Sequence, residues 1–482
     1  MKVSKFFAMF AACAMLAVAC EKPVEPTPTP DPKPDPDPTP VVLNTDANLI
    51  SLTAVIDGED VKGTIYKNDK VVEFVYLPEA EAAYRAATLK VIVSDGATTN
   101  IKADQAYDLV SFVDLTITSE DGKTTNKFSV EAVPAQVTVK CEPVWDGGFK
   151  TAGQANLSYV SSTGGSVAFC GVDKFVYLDG TVCDLDCNVV GELNMSGTLA
   201  GGTLYSIDND VNGVVIGQIR TEDAATESVT ACEFYAWKDG YDKAPVKFLE
   251  VSDVPFTTSG FRFMSVGGDV NGSFILCAIT GGRGATTMHH VYHFANGIGS
   301  EAAWYAFNTP YVSNDGCWAQ MVSPASGDIN GMFFIADSEG SNRGYHIYAR
   351  QGLMNDDVVL YGTVWTDGLA DRPAEGDEEN HEYGNFSLGS CKGFQYSGTD
   401  YVASFTTGWP CGYLTIQTAN PDDEEHYLLR TQVFDGCAQA GPSGAYIYNP
   451  ATDKGYVVMV LGEYSAGTPY GTALYEISRE IF

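Results

Sequence analysis

Positive charge is scarce in this sequence. It has 28 Lys and Arg residues against 62 Asp and Glu, a formal net charge of -34 over 482 residues. A surface of that sign repels phosphate backbones and anionic headgroups, which excludes nucleic acid and an anionic lipid surface as partners. Neutral ligands and cations remain. Long apolar runs are also missing after residue 18, so no internal segment has the length of a membrane-spanning helix. Helical periodicity is rare. No G-x-S-x-G elbow occurs, no glycine loop follows a strand and opens a helix, and no paired C-x-x-C units mark a zinc site. These gaps remove the serine-hydrolase elbow, the nucleotide-binding loops and the zinc ribbon as readings. What the chain has instead is 49 Gly, 26 Tyr and 24 Phe, in short β-branched and aromatic runs broken by Gly and Asp. That is an all-β composition.

The first residues have a different character. Lys2 and Lys5 precede an apolar run from Phe6 to Val18, the pattern of a secretory signal. Ala17-Val18-Ala19-Cys20 resembles a lipoprotein box, which implies that residues 1–20 are a lipoprotein signal and that Cys20 carries the lipid once the segment before it is cleaved. Residues 21–43 carry "KPVEPTPTPDPKPDPDPTP", with proline at nearly every second position from Pro26 to Pro40. Such a chain forms neither helix nor ladder and stays in polyproline II, spanning about 60 Å. A lipid followed by a stiff spacer describes a tether, with the lipid as the membrane contact.

Residues 44–135 read as a small immunoglobulin-like sandwich. The best hairpin is "VDLTITSEDGKTTNKFSVEAV", where Val113, Leu115 and Ile117 alternate on one arm and Phe128 and Val130 on the other. This segment contains no cysteine and nothing that looks catalytic.

From about residue 140 to 482 the chain repeats. D-[VI]-N-G occurs at Asp210, Asp269 and Asp328, in steps of 59 residues, and the series extends to Gly393 and Gly455 and back to Gly165. An apolar run follows each glycine. A period near 60 with about four strands per unit predicts a β-propeller, with six blades favoured and seven possible. The glycine motif is expected to join the outer strand of one blade to the inner strand of the next. The last unit is expected to run out after its second strand and to borrow strands from the segment that starts near Lys140, which closes the ring.

The D-x-N-G stretch has two readings. One is turn chemistry. The other is calcium: Asp208, Asp210 and Asn212 occupy the first, third and fifth positions of an EF-hand-like loop, although Ile219 stands where the twelfth ligand should be. Calcium is the one cofactor the sequence leaves open. Of twelve cysteines, ten lie beyond Cys20. Cys170 and Cys277 fall in apolar runs and are expected as buried thiols, while Cys183 and Cys187 in "CDLDC" are spaced for a bridge. His289, His290 and His293 are expected on a blade surface.

Sugars bind by stacking on exposed rings while amide and carboxylate groups fix their hydroxyls. Trp318, Trp409, Tyr413 and Tyr311 lie beside turn residues, with Asp315, Asp435, Gln320 and Gln439 nearby. These are the candidate ligand-binding residues. No catalytic residue is identified. Trp145, Trp237 and Trp365, each followed by an Asp-Gly turn, are expected to pack within blades. The acidic runs at residues 374–382 and 420–426 read as solvated loops.

The order of lipidated Cys20, Pro/Asp tether, immunoglobulin-like module and Gly-punctuated propeller resembles surface lipoproteins of gut Bacteroidota. The resemblance implies an outer-membrane, surface-exposed location and makes a glycan the expected ligand. It transfers no functional residue. A propeller glycoside hydrolase or polysaccharide lyase is the first alternative. An adhesion or scaffold protein that binds an outer-membrane protein partner is the second.

Overall fold

The computed structural model describes residues 42–151, 154, 167–223, 228–251, 261–280, 288–307, 321–338, 345–354, 359–364, 387–407, 411–418, 427–435, 443–461 and 471–481. Strands dominate these residues, with one four-residue α-helix at Glu81–Tyr84. None of the described helices is long and apolar enough to cross a membrane. Two compact units form. One takes the described residues up to Val72 with Thr88–Ala106 and Val113–Val130; the other takes Glu73–Ala87, Tyr107–Phe112 and the chain from Glu131.

The N-terminal strands alternate buried and exposed positions. In Leu49–Ile56 the buried residues include Leu52, Ala54 and Ile56, and in Val113–Thr118 they are Leu115 and Ile117. The expected hairpin forms, with Val113 opposite Val130 and Leu115 opposite Phe128.

Among the described residues the C-terminal part is a β-propeller of six antiparallel sheets, numbered along the chain. The first contains Val167–Phe169, Lys174–Tyr177, Thr181–Asp184 and Val189–Glu192. The second contains Thr203–Asn209, Val215–Asp223, Ser228–Ala236 and Val246–Val251. The third contains Phe261–Gly268, Phe274–Thr280, Met288–Phe294 and Ala303–Phe307. The fourth contains Met321–Pro324, Met332–Ser338, Tyr345–Gln351 and Val359–Val364. The fifth contains Ser387–Tyr396, Thr399–Thr407, Cys411–Thr418 and Tyr427–Asp435. Each sheet pairs its strands in chain order, the signature of a blade.

The sixth sheet is assembled from both ends of the propeller segment. Ser443–Asn449, Lys454–Leu461 and Gly471–Ile481 supply three strands, and Val137–Pro143 supplies the fourth by pairing with Gly471–Ile481. Phe149–Thr151 continues along the same neighbour, with Phe149 opposite Ala473. The chain therefore ends on the third strand of its last unit rather than the second. The borrowed strand begins at Val137, slightly before the expected start. Pairing it to the C-terminal strand leaves no open seam in the ring.

Turn assignments differ from the sequence expectation. The D-x-N-G motif joins the first strand of a sheet to the second strand of the same sheet. Asp210–Gly213 lies between Asn209 and Val215, which are themselves paired. The motif does not bridge blades. Its hydrogen bonds recur in all three copies: Gly213, Gly272 and Gly331 each donate their N–H to the carbonyl of the aspartate three residues earlier, at 3.1, 2.9 and 2.9 Å. The aspartate carboxylate accepts from the N–H two residues on, at 2.9, 2.8 and 2.9 Å. This is an Asx turn laid over a β-turn. Gly165 lies outside the described residues, and the matching turn of the first sheet is at Gly171, whose N–H donates to the Gly213 carbonyl. Gly393 sits inside a first strand; the turn that follows uses Ser397 and Gly398 at φ 50° and 78°.

Apolar clusters fill the seams between neighbouring sheets. Phe169, Phe175 and Tyr177 of the first pack with Ile447, Val458 and Leu474 of the sixth. Phe234 of the second meets Phe274 and Phe294 of the third. Ile275 and Val291 meet Phe333 and Ile335. Each such side chain removed from water contributes roughly 1.5–3 kcal/mol. Cys170 and Cys277 are buried free thiols, as expected. Cys183 and Cys187 do not bridge; both are free thiols within the core between the first and sixth sheets. Trp145 and Trp237 are buried, while Trp365 lies outside the described residues.

Candidate functional site

The first strands of the six sheets converge on the propeller axis. Most of their inward groups are apolar or small, but "SIDND" places Asp208 and Asn209 there, and "SCKG" places Lys392 there. Lys392 bonds both Asp208 carboxylate oxygens at 2.8 and 2.7 Å, and both side chains are 5% exposed. Lys392 also donates to the Val266 carbonyl at 2.8 Å. Asp208 accepts the N–H groups of Asn209 and Val266, each at 2.8 Å. Burial pushes the Asp208 carboxyl up, against the pull of Lys392 and these amides.

The network spreads to every blade. Asn209 accepts from the Phe169 N–H at 2.8 Å and donates to the Tyr446 carbonyl at 2.9 Å. Ser265 and Ser323 bond each other at 2.6 Å, and Ser323 accepts from the Gly393 N–H at 2.8 Å. Second and fifth sheets stand opposite each other in a ring of six, so Lys392 reaches across the axis. The axial charges neutralise one another, and each carboxylate oxygen of Asp208 already receives two donors.

That geometry bears on the calcium reading. Asp208 faces the axis and Lys392. Asp210 faces its own turn, where it accepts from Asn212 and Val214, and reaches the Val270 N–H at 3.1 Å. Asn212 is exposed. The three side chains do not converge, and a cation at Asp208 would have to displace Lys392. Among the described residues no cluster of three or more His, Cys, Asp or Glu is arranged to hold a metal.

Of the candidate ring-stacking residues, Tyr413 and Asp435 fall on adjoining strands of the fifth sheet, Tyr413 opposite Gln432 and Asp435 opposite Cys411. Tyr311, Asp315, Trp318, Gln320, Trp409 and Gln439 lie outside the described residues, as do Cys20 and both acidic runs.

The structure adds a residue that the sequence did not single out. Trp304 lies on the outer strand Ala303–Phe307 of the third sheet and is 53% exposed. Its indole N–H donates to Nδ1 of His290 at 3.2 Å, with the two rings 5.8 Å apart. His290 is buried, not on the blade surface as expected; burial pushes its pKa down to about 4. The imidazole is therefore neutral at neutral pH, with Nδ1 as acceptor and the proton assigned to Nε2. This holds the indole at a fixed angle while part of its face meets solvent. Another outer-strand cluster joins Glu233 and Glu250 through Lys247, at 2.9 Å to each, with the Tyr235 hydroxyl donating to Glu233. There the acids are bound to a cation and to each other's partner.

No protein-family model matches the chain, and no curated protein matches it in sequence. Among solved structures it is similar to a DUF4623 family protein from Bacteroides eggerthii, at 10% identity and a TM-score of 0.42, covering 90% of this chain and 99% of that one. A GH43_1 enzyme from Xanthomonas citri aligns at 12% identity and a TM-score of 0.34, over 57% of this chain and 87% of that one. The β-propeller domain of the trilobed protease from Pyrococcus furiosus aligns at 9% identity and 0.29, over 82% and 94%. Likeness at this level carries no argument about activity.

Proposed function

We propose that this is a non-catalytic surface protein whose propeller binds an uncharged extracellular ligand, a glycan in the first instance. The observation that carries the reading is Trp304, a half-exposed indole fixed by a buried neutral histidine. A ring pre-set in one orientation loses little entropy on stacking against the C–H face of a sugar. The axial cluster supports the same reading: the charges there are bound to each other across the ring, so they serve the fold. A net charge of -34 favours a neutral ligand over an anionic one. The proposal keeps lipidated Cys20 and the Pro-rich tether as the anchor, at the outer face of an outer membrane.

Calorimetric titration of the chain with a panel of neutral polysaccharides tests this. Saturable heat that is lost in Trp304→Ala supports it. Release of reducing ends from the same panel would replace it with the hydrolase alternative. Silence across the panel, together with chelator-sensitive capture of one defined outer-membrane protein, would replace it with the adhesion reading.

A further inference from the structure

The seam between the fourth and fifth sheets has an unusual chemistry. In the fifth sheet, Ser404 stands opposite Thr415 and Val402 opposite Gln417, with no bulge in the pairing. Ser404, Thr415 and Gln417 therefore share one face. The opposite face, with Ala403, Phe405, Leu414 and Ile416, packs against the sixth sheet. The polar face is thus turned toward the fourth sheet. Gly393 marks the approach: it pairs with Val402, and a Cβ there would meet the Phe334 ring at 2.9 Å. Phe334 and its strand partner Ala349 are buried and apolar.

Gln417 is 0% exposed, and among the described residues neither its amide nitrogen nor its oxygen has a hydrogen-bond partner. The Ser404 hydroxyl, also 0% exposed, and the Thr415 hydroxyl, on a residue 4% exposed, have none either. A buried polar atom left dry costs as much as a lost hydrogen bond, and folded proteins meet that need with protein groups or internal water. Here the facing sheet offers a phenyl ring and a methyl group. We infer that this seam is a binding site for internal water, held by the Gln417 amide and the hydroxyls of Ser404 and Thr415.

The spacing fits. Side chains directly opposite on antiparallel strands start about 5 Å apart, and next neighbours on one face about 7 Å apart. A water between Ser404 and Thr415 reaches both, and one beside Gln417 can donate to its oxygen and accept from its nitrogen. Internal waters normally make two to four such bonds. The three groups are uncharged and supply donors and acceptors together, which suits water and gives an ion nothing to neutralise it. The site is independent of the proposed ligand-binding role.

A crystal structure of the full chain at a resolution that orders waters is the test. Density within hydrogen-bonding distance of Gln417 Oε1 or Nε2 and of Ser404 Oγ or Thr415 Oγ1 is expected. Direct protein partners for these atoms, or a dry seam, would overturn the inference. Thermal unfolding gives a second readout. With water bound, Gln417→Leu removes two of its partners, and Tm should fall by about 2–4 °C or more. With a dry seam the same substitution removes an unmet need, and Tm should rise. Ser404→Ala carries the same opposite signs at smaller amplitude and serves if Gln417→Leu does not fold.

Discussion

Lys392 and Asp208 are 184 residues apart in sequence and bond across the propeller axis at 2.7–2.8 Å, from sheets on opposite sides of the ring. Both are buried. Two charges taken out of water gain little net stability as a pair, but removing one leaves the other stranded. Lys392→Met should therefore cost about 3–5 kcal/mol, and adding Asp208→Leu should return most of that loss. Denaturant midpoints of the two variants measure it. A single-variant loss below about 1 kcal/mol would mean the pair does not form.

Trp304→Ala should separate binding from folding. The side chain is half exposed, but its loss takes the donor from the buried His290 Nδ1, so stability should fall by about 1–3 kcal/mol with the fold retained. Affinity for whichever polysaccharide binds should fall at least about tenfold, near 1.4 kcal/mol. Parallel calorimetry and thermal melts decide it. Unchanged affinity would move the ligand elsewhere on the protein.

His290 gives a pH dependence with a definite sign. Its folded pKa is about 4, below the unfolded value of about 6.5. Above pH 6.5 both states hold it neutral and it has no effect. As pH falls from 6.5 toward 4, the unfolded state takes up a proton that the folded state refuses, so stability drops. Between pH 7.5 and 4.5 this loss is about 2–3 kcal/mol. His290→Gln should lose that much less than the unsubstituted protein over the same range, as read by urea unfolding at each pH.

Two of the D-x-N-G copies should respond differently to alanine. Gly213 has φ of 74°, and a Cβ there would lie 2.5 Å from the Gly171 carbonyl oxygen. Gly213→Ala should cost about 1–3 kcal/mol. Gly272 has no positive φ, and a Cβ there would come no nearer than 3.7 Å to any atom. Gly272→Ala should stay within about 0.5 kcal/mol. Equal losses in thermal unfolding would contradict the turn geometries.

The sequence carried the blade period because each apolar run must bury one strand, and strands recur once the ring repeats. It carried the closing strand as well, since a unit that ends short needs a partner for its edge. Turn register was less visible. Gly393 keeps the spacing of the series but lies within a strand, because the turn after it is built from Ser397 and Gly398 instead. Gly455 likewise follows a turn that uses Asp453 at φ 56°. Different residues make the same corner, so spacing alone places it a few residues off. Nothing in the local sequence marks Lys392 as buried, because its partner comes from a distant blade. Trp304 sits in "AWYAF", with no turn residue to flag exposure, while His290 is buried by a neighbouring strand that local pattern does not reveal. Six of the eight proposed ring-stacking and polar residues fall outside the described residues.

Closure of the ring by the first and last strands of the propeller segment can be read directly by a cross-link. Thr138 stands opposite Glu480, and both are exposed. Paired strand positions lie within the Cα separation that a disulfide spans. Under mild oxidation, Thr138→Cys combined with Glu480→Cys should form an intramolecular disulfide, seen as a faster band on a non-reducing gel. Failure to couple, or coupling only between separate chains, would show that the N-terminal strand does not complete the sixth sheet.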